Sequence, residues 1–92
     1  MTLEILSPEA VLFSGLVAQV TLPGTSGEFQ VLPGHASIIS ALKEGSVRFK
    51  VTEKPSHMDA SIQEEGGNDN YSLSIRGGVI EMDENKVVLL AE

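Results

Sequence analysis

The chain has 92 residues, no cysteine, and 13 acidic against 6 basic side chains, a formal net charge of −7. That length accommodates one domain and not a second. The missing thiols exclude disulfides and thiolate zinc sites as sources of stability, and the negative charge opposes binding to nucleic-acid phosphates or anionic lipid headgroups. Stability must therefore come from an apolar core drawn from the 41% hydrophobic fraction. No run of about 18 apolar residues occurs, and MTLEILSPE lacks the basic flank and long apolar stretch of a signal peptide, so a soluble chain that stays where it is made is expected.

In chain order, most segments alternate with a period of two, the pattern of strands with one face buried. In MTLEILS, Leu3 and Ile5 oppose Thr2 and Glu4; in LVAQVTL, Leu16, Ala18, Val20 and Leu22 oppose Val17, Gln19 and Thr21. Phe29 and Val31 continue the theme, and ASIISAL, bounded by turn residues, suits a short strand better than a helix. Val47, Phe49 and Val51 then alternate with Ser46, Arg48 and Lys50, and Tyr71, Leu73 and Ile75 with Ser72, Ser74 and Arg76. The last run, KVVLLA, is apolar on both faces, which means either a central position between two layers or one face covered by a partner.

Turn residues separate these runs: Ser7-Pro8-Glu9, Ser14-Gly15, Pro23-Gly24 to Gly27, Pro33-Gly34, Glu44-Gly45, Gly77-Gly78 and Asp83-Glu84-Asn85. The spacing predicts an all-β, flattened antiparallel sandwich or barrel of about eight to ten short strands. Residues 53–70, EKPSHMDASIQEEGGNDN, break the alternation with five acids, one lysine and a Gly-Gly pair, and read as a polar loop inserted between two strands.

Motifs for chemistry are weak. The segment PGTSGEF lacks the lysine and following Ser/Thr of a phosphate-binding loop after Gly27, and Ser26 is one residue short of a nucleophile elbow. His35 and His57 are the only histidines, too few for a patterned metal site. The acid pairs Glu64-Glu65 and Asp83-Glu84 sit in loop composition that keeps them solvated, and Arg76-Gly77-Gly78 is a single copy of an RNA-binding repeat unit in an acidic chain, better read as a turn. With four aromatic residues, Phe13, Phe29, Phe49 and Tyr71, the chain offers little platform for sugars.

The stretch VLPGHASII stands out. Proline fixes a negative φ at the second position of a turn and glycine accepts a positive φ at the third, so a type II turn would hold His35 at the start of the next strand. A lone histidine with no acid or nucleophile partner has nothing to activate, whereas a stiff turn costs little ordering entropy on binding. Structural turn and interface contact both fit it.

Three segments, TLEILSPE, FSGLVAQVTLPGTSGEFQVLPGHASIISALKEGSV and GGVIEMDENKVVLLAE, resemble the N-terminal domain of the epsilon subunit of F-type rotary ATP synthases, whose mitochondrial counterpart is delta. The match covers nearly everything outside residues 53–70. It implies a ten-stranded β-sandwich, residues 1–92, in a non-catalytic central-stalk subunit without cofactors. The implied partners are the gamma subunit and the c ring, and membrane association arises only through that complex, on the cytoplasmic face of a bacterial inner membrane. Carried over by position, Ser7 and His35 face gamma, Ala36 and Ile39 extend that contact along the same strand, and Glu28 meets the c ring. Two departures stand against the resemblance. The helical hairpin that commonly follows the sandwich is not expected, because the sequence stops at Glu92, with Met1 read as a natural start, and the acidic stretch 53–70 replaces a shorter hairpin connection. The competing reading is a free-standing β-sandwich that binds a peptide or small ligand, which the shortage of aromatics disfavours.

Overall fold

The computed structural model describes residues 1–92 and contains ten strands and no helix: β1 (Thr2–Leu6), β2 (Val11–Gly24), β3 (Gly27–Val31), β4 (Ile38–Leu42), β5 (Gly45–Val51), β6 (His57–Met58), β7 (Gln63–Glu64), β8 (Asn70–Ile75), β9 (Gly78–Asp83) and β10 (Lys86–Ala91). The strands pair in the order β1-β10-β9-β4-β2-β5-β8-β7, with β3 and β6 added on β2. Because β1 also pairs with β2, the sheet closes back on itself as a flattened barrel. All pairings are antiparallel except β1 with β10, the first and last strands, which run parallel. No hairpin joins these two, so nothing local requires them to run antiparallel.

Nineteen buried apolar side chains form one core. Leu3 and Ile5, then Val47, Phe49 and Val51, then Val87, Leu89 and Ala91 fill it by alternation from β1, β5 and β10. Phe13 and Phe49 meet at its centre with ring centroids 4.7 Å apart, tilted by 57°, and Phe49 stacks on the half-buried Tyr71 at 6.2 Å.

Strand β2, 14 residues long, is the spine of the fold. Its first half pairs with β1 and its second with β3 and β5. The register shifts between Val17 and Gln19, so the inward set changes parity, from Phe13 and Val17 to Val20 and Leu22. A bulge inserts one unpaired residue and turns the strand over. The expected single face of Leu16, Ala18, Val20 and Leu22 is therefore corrected: Leu16 points outward at 40% exposure and Val17 is buried.

The segment 53–70 carries more structure than a polar loop. Strand β6 pairs with Phe13 and Ser14 of β2, and β7 pairs with β8. The N–H groups of Ser56 and Asp59 donate to the carbonyls of Ser14 and Leu12 at 2.8 Å each. Ile62 is buried and Met58 packs on the core. Two apolar residues among the acids are enough to fasten the segment along β2. The Asp59 carboxylate accepts from the Ser61 hydroxyl at 2.6 Å and the Ser61 N–H at 3.0 Å, and these bonds, the hydroxyl first, hold its pKa below the ordinary aspartate value.

Candidate interaction surface

Proline at position 33 and glycine at 34 produce the turn that the sequence suggests. Gly34 has φ +83°, and the His35 N–H donates to the Leu32 carbonyl at 3.0 Å, the hydrogen bond and left-handed third residue of a type II turn. The following strand starts later than expected. Ala36 and Ser37 precede it, β4 begins at Ile38, and His35 is thus on the loop rather than at the head of the strand.

This loop is fastened from outside by the turn joining β9 and β10, in which Glu84 and Asn85 both have positive φ, 49° and 62°, the two left-handed centres of a tight hairpin. The Gly34 N–H donates to Asn85 Oδ1 at 2.8 Å, and the Ser37 hydroxyl donates to Asp83 Oδ1 at 3.0 Å. The exposed His35 ring places Nδ1 2.6 Å from the Ala36 carbonyl. An acceptor at that distance requires the proton on Nδ1.

Beside the loop, β4, β9, β10, β1 and the start of β2 present one outer face. Register places Ala41, Val79, Leu90, Leu6 and Val11 in a single row across five strands. In that row Val79 is 43%, Leu90 53% and Val11 43% exposed. The adjoining row runs Ile39, Glu81, Val88, Glu4, with Ile39 at 73% the most exposed large apolar side chain. By contrast, the outer row through β3, β2, β5, β8 and β7 is Gln30, Thr21, Arg48, Ser72 and Gln63, entirely polar. One broad side of the molecule carries a polar row, and the other carries an apolar row beside a row in which Glu81 and Glu4 alternate with Ile39 and Val88. Exposed apolar surface of this kind makes the face a candidate contact site for another macromolecule.

Ser7 and His35 bracket this face from opposite ends. Ser7 follows Leu6 at the end of β1 where Leu6 pairs with Leu90, and its hydroxyl and N–H close the turn to Ala10, Ser7 N–H to the Ala10 carbonyl at 2.9 Å and the Ala10 N–H to Ser7 Oγ at 3.2 Å. His35 stands by Asn85, at the other end of β10. Ala36 borders the face on the His35 side and Ile39 lies within it.

Glu28 is elsewhere. It sits at the start of β3, opposite Pro23, next to the pairing of Gly24 with Leu42 at the far end of β4 from the His35 loop. Its carboxylate is engaged by the Arg48 guanidinium at 2.7 Å, both side chains being more than half exposed. It therefore stands as one half of an ion pair, and a partner must engage the pair or compete with Arg48.

His35 and His57 lie on different elements, and no three His, Cys, Asp or Glu side chains converge. Sequence reasoning missed the row of Leu6, Val11, Val79 and Leu90, because each belongs to a different strand and only register joins them. The one signal was KVVLLA, apolar on both faces. Asn85 and Asp83 were legible only as turn residues; their bonds to Gly34 and Ser37 join positions 51 and 46 residues apart.

These features define an all-β domain with one apolar outer face. The family described as "ATP synthase, Delta/Epsilon chain, beta-sandwich domain" matches residues 1–60. Over 90 residues the chain is 40% identical to the ATP synthase epsilon chain of Campylobacter fetus subsp. fetus, covering 98% of this chain and 59% of that protein. It is 37% identical to that of Chlorobium limicola, covering 98% of this chain and 86% of that protein. In fold it is similar to a chain of the Euglena gracilis mitochondrial ATP synthase (OSCP/F1/c-ring), with a TM-score of 0.73, 21% identity, and coverage of 97% of this chain and 48% of that one. A chain of the Tetrahymena thermophila mitochondrial ATP synthase central stalk and c ring gives a TM-score of 0.69 at 12% identity, with 99% and 62% covered. The chain belongs to the delta/epsilon chain family of ATP synthase and is its β-sandwich domain.

Proposed function

We propose that the chain is a non-catalytic rotor subunit of a proton-translocating F-type ATP synthase. It links the gamma subunit to the c ring and helps couple proton flow to ATP synthesis on other subunits. It is peripheral, on the cytoplasmic face of a bacterial inner membrane, and reaches the membrane only through the complex. Family membership supports this reading, as does the Tetrahymena chain of like fold, which comes from a central stalk and c ring.

The observation that carries it is the apolar outer face of β4, β9, β10 and β1, flanked by the Ser7 and His35 turns. Stable interfaces take about 800 Å² from each partner, which is a modest share of the 5238 Å² surface of this chain. In this reading gamma lies on that face, with His35, Ala36, Ile39 and Ser7 at its contacts. Dry burial of Ile39, Val79 and Leu90 supplies affinity, and Glu81 and Glu4 tune register and encounter. The Glu28 end, a strand's length from the His35 turn along β4, meets the c ring.

The test is to mix the purified chain with the gamma subunit of the same synthase and look for a one-to-one complex by size-exclusion chromatography. A complex at micromolar concentration is expected, and separate elution of the two proteins at that concentration would remove the reading.

A further inference from the structure

We infer that Asn85, in the turn between β9 and β10, is a positioning residue that holds the Leu32–His35 turn in its partner-binding direction; this rests on the reading of that turn as a gamma contact. Between the end of β3 at Val31 and the start of β4 at Ile38 every residue is exposed. The one backbone hydrogen bond inside this segment is the turn bond from His35 to Leu32. That bond fixes the turn's own shape but says nothing about its direction relative to the sheet. Direction comes from two side chains of another hairpin: Asn85 Oδ1 accepts from the Gly34 N–H at 2.8 Å, and Asp83 Oδ1 accepts from the Ser37 hydroxyl at 3.0 Å.

Asn85 is itself held in place. It occupies the hairpin turn closed by the pairing of Asp83 with Lys86, and its carbonyl accepts the Thr2 N–H at 2.9 Å. The residue type is specific to the task. At φ 62° a side chain must tolerate the left-handed region, which asparagine does better than most. Its amide oxygen also provides an acceptor without adding a third negative charge beside Asp83 and Glu84. Glycine would suit the backbone equally well and would provide no acceptor. The choice of asparagine therefore serves the turn across from it rather than its own. A loop released from this clamp populates its binding direction only part of the time, and the apparent affinity falls by that fraction.

The experiment compares the whole chain with Asn85→Gly, which keeps the backbone conformation and deletes the acceptor, and Asn85→Asp, which keeps an acceptor oxygen. Two quantities are measured: amide hydrogen exchange of Gly34 by NMR, and affinity for purified gamma by titration calorimetry well below the melting temperature. Asn85→Gly is expected to speed Gly34 exchange and to weaken gamma binding by about two- to tenfold, the equivalent of one net hydrogen bond, while Asn85→Asp preserves both. Gly34 exchange unchanged in Asn85→Gly would overturn the clamp itself. Faster exchange with unaltered affinity, while His35→Glu with Ile39→Asp still loses binding, would overturn the positioning role and leave the gamma face standing. If the His35, Ile39 pair also leaves affinity unaltered, the gamma face falls, and the positioning role with it.

Discussion

The N–H of Gly34 and the Oδ1 of Asn85 meet at 2.8 Å although 51 residues separate them. One end of this bond is the left-handed residue of a type II turn, and the other is a left-handed residue of a hairpin turn. Neither residue packs in the core. The contact joins two surface turns, and together they form the rim of the apolar outer face. It also predicts where binding and stability should come apart.

Within β10 that separation is sharp. Leu89 is fully buried and Leu90, its neighbour, is 53% exposed. Leu89→Ala is expected to cost about 2–5 kcal/mol of folding stability, whereas Leu90→Ser should stay within about 0.5 kcal/mol. Denaturant unfolding of both variants measures this, and only Leu90→Ser should yield a folded chain with weakened gamma binding.

The paired substitution His35→Glu with Ile39→Asp places two acids on exposed positions, one at the rim and one within the face. Melting temperature should scarcely move, and gamma binding should weaken at least tenfold, since a desolvated unpaired charge at an interface costs more than one tenfold step, about 1.4 kcal/mol. A large drop in melting temperature would instead place these side chains in the core.

Gly78 opens β9 where it crosses the end of β10. It has φ +155°, and a Cβ there would run into the Leu90 carbonyl and lie 3.3 Å from Ala91 Cα. Backbone atoms cannot move aside as a flexible side chain can. Gly78→Ala should destabilise by about 1–3 kcal/mol, readable as a lower urea midpoint at unchanged m-value.

Glu28 and Arg48 are paired at 2.7 Å with both side chains more than half in solvent. Glu28→Gln should change stability by less than about 1 kcal/mol, because water screens the attraction and two long side chains lose entropy in making it. Thermal melts at low and high salt test this: the difference between wild type and variant should shrink as salt rises.

Asp59 is held by the Ser61 hydroxyl and N–H, and its pKa lies below the ordinary aspartate value. Since the folded value is depressed, its contribution to stability is present above the unfolded pKa and is lost as pH falls through the folded one. Carboxyl titration by NMR should place its midpoint on the acid side of the ordinary aspartate value, and Ser61→Ala should move it upward.

Much of the fold was legible because a half-buried strand imprints its period on the sequence. Leu3 and Ile5 in β1 and Val47, Phe49 and Val51 in β5 are buried as their alternation indicates. The same rule failed in β2, where apolar residues occupy both parities on either side of a bulge, and no sequence period reports a register shift. It failed again at residues 53–70, where acids outnumber the two residues, Met58 and Ile62, that fasten the segment to the sandwich. The Pro33-Gly34 turn could be read because proline fixes a negative φ and glycine tolerates the positive φ that follows, both local properties.

By itself the sequence determined what depends on neighbours along the chain: strand periods, turn types, the absence of thiol chemistry, and the family pattern around Leu32-Pro33-Gly34-His35-Ala36. Only the tertiary structure decided which exposed residues share a face. Leu6, Val11, Val79 and Leu90 come from four strands, and pairing register alone aligns them in one row. The same holds for the Gly34 to Asn85 bond. Alternation records which way a side chain points from its own strand, but cross-strand neighbours are fixed by hydrogen-bond ladders between distant segments, and that information has no local trace.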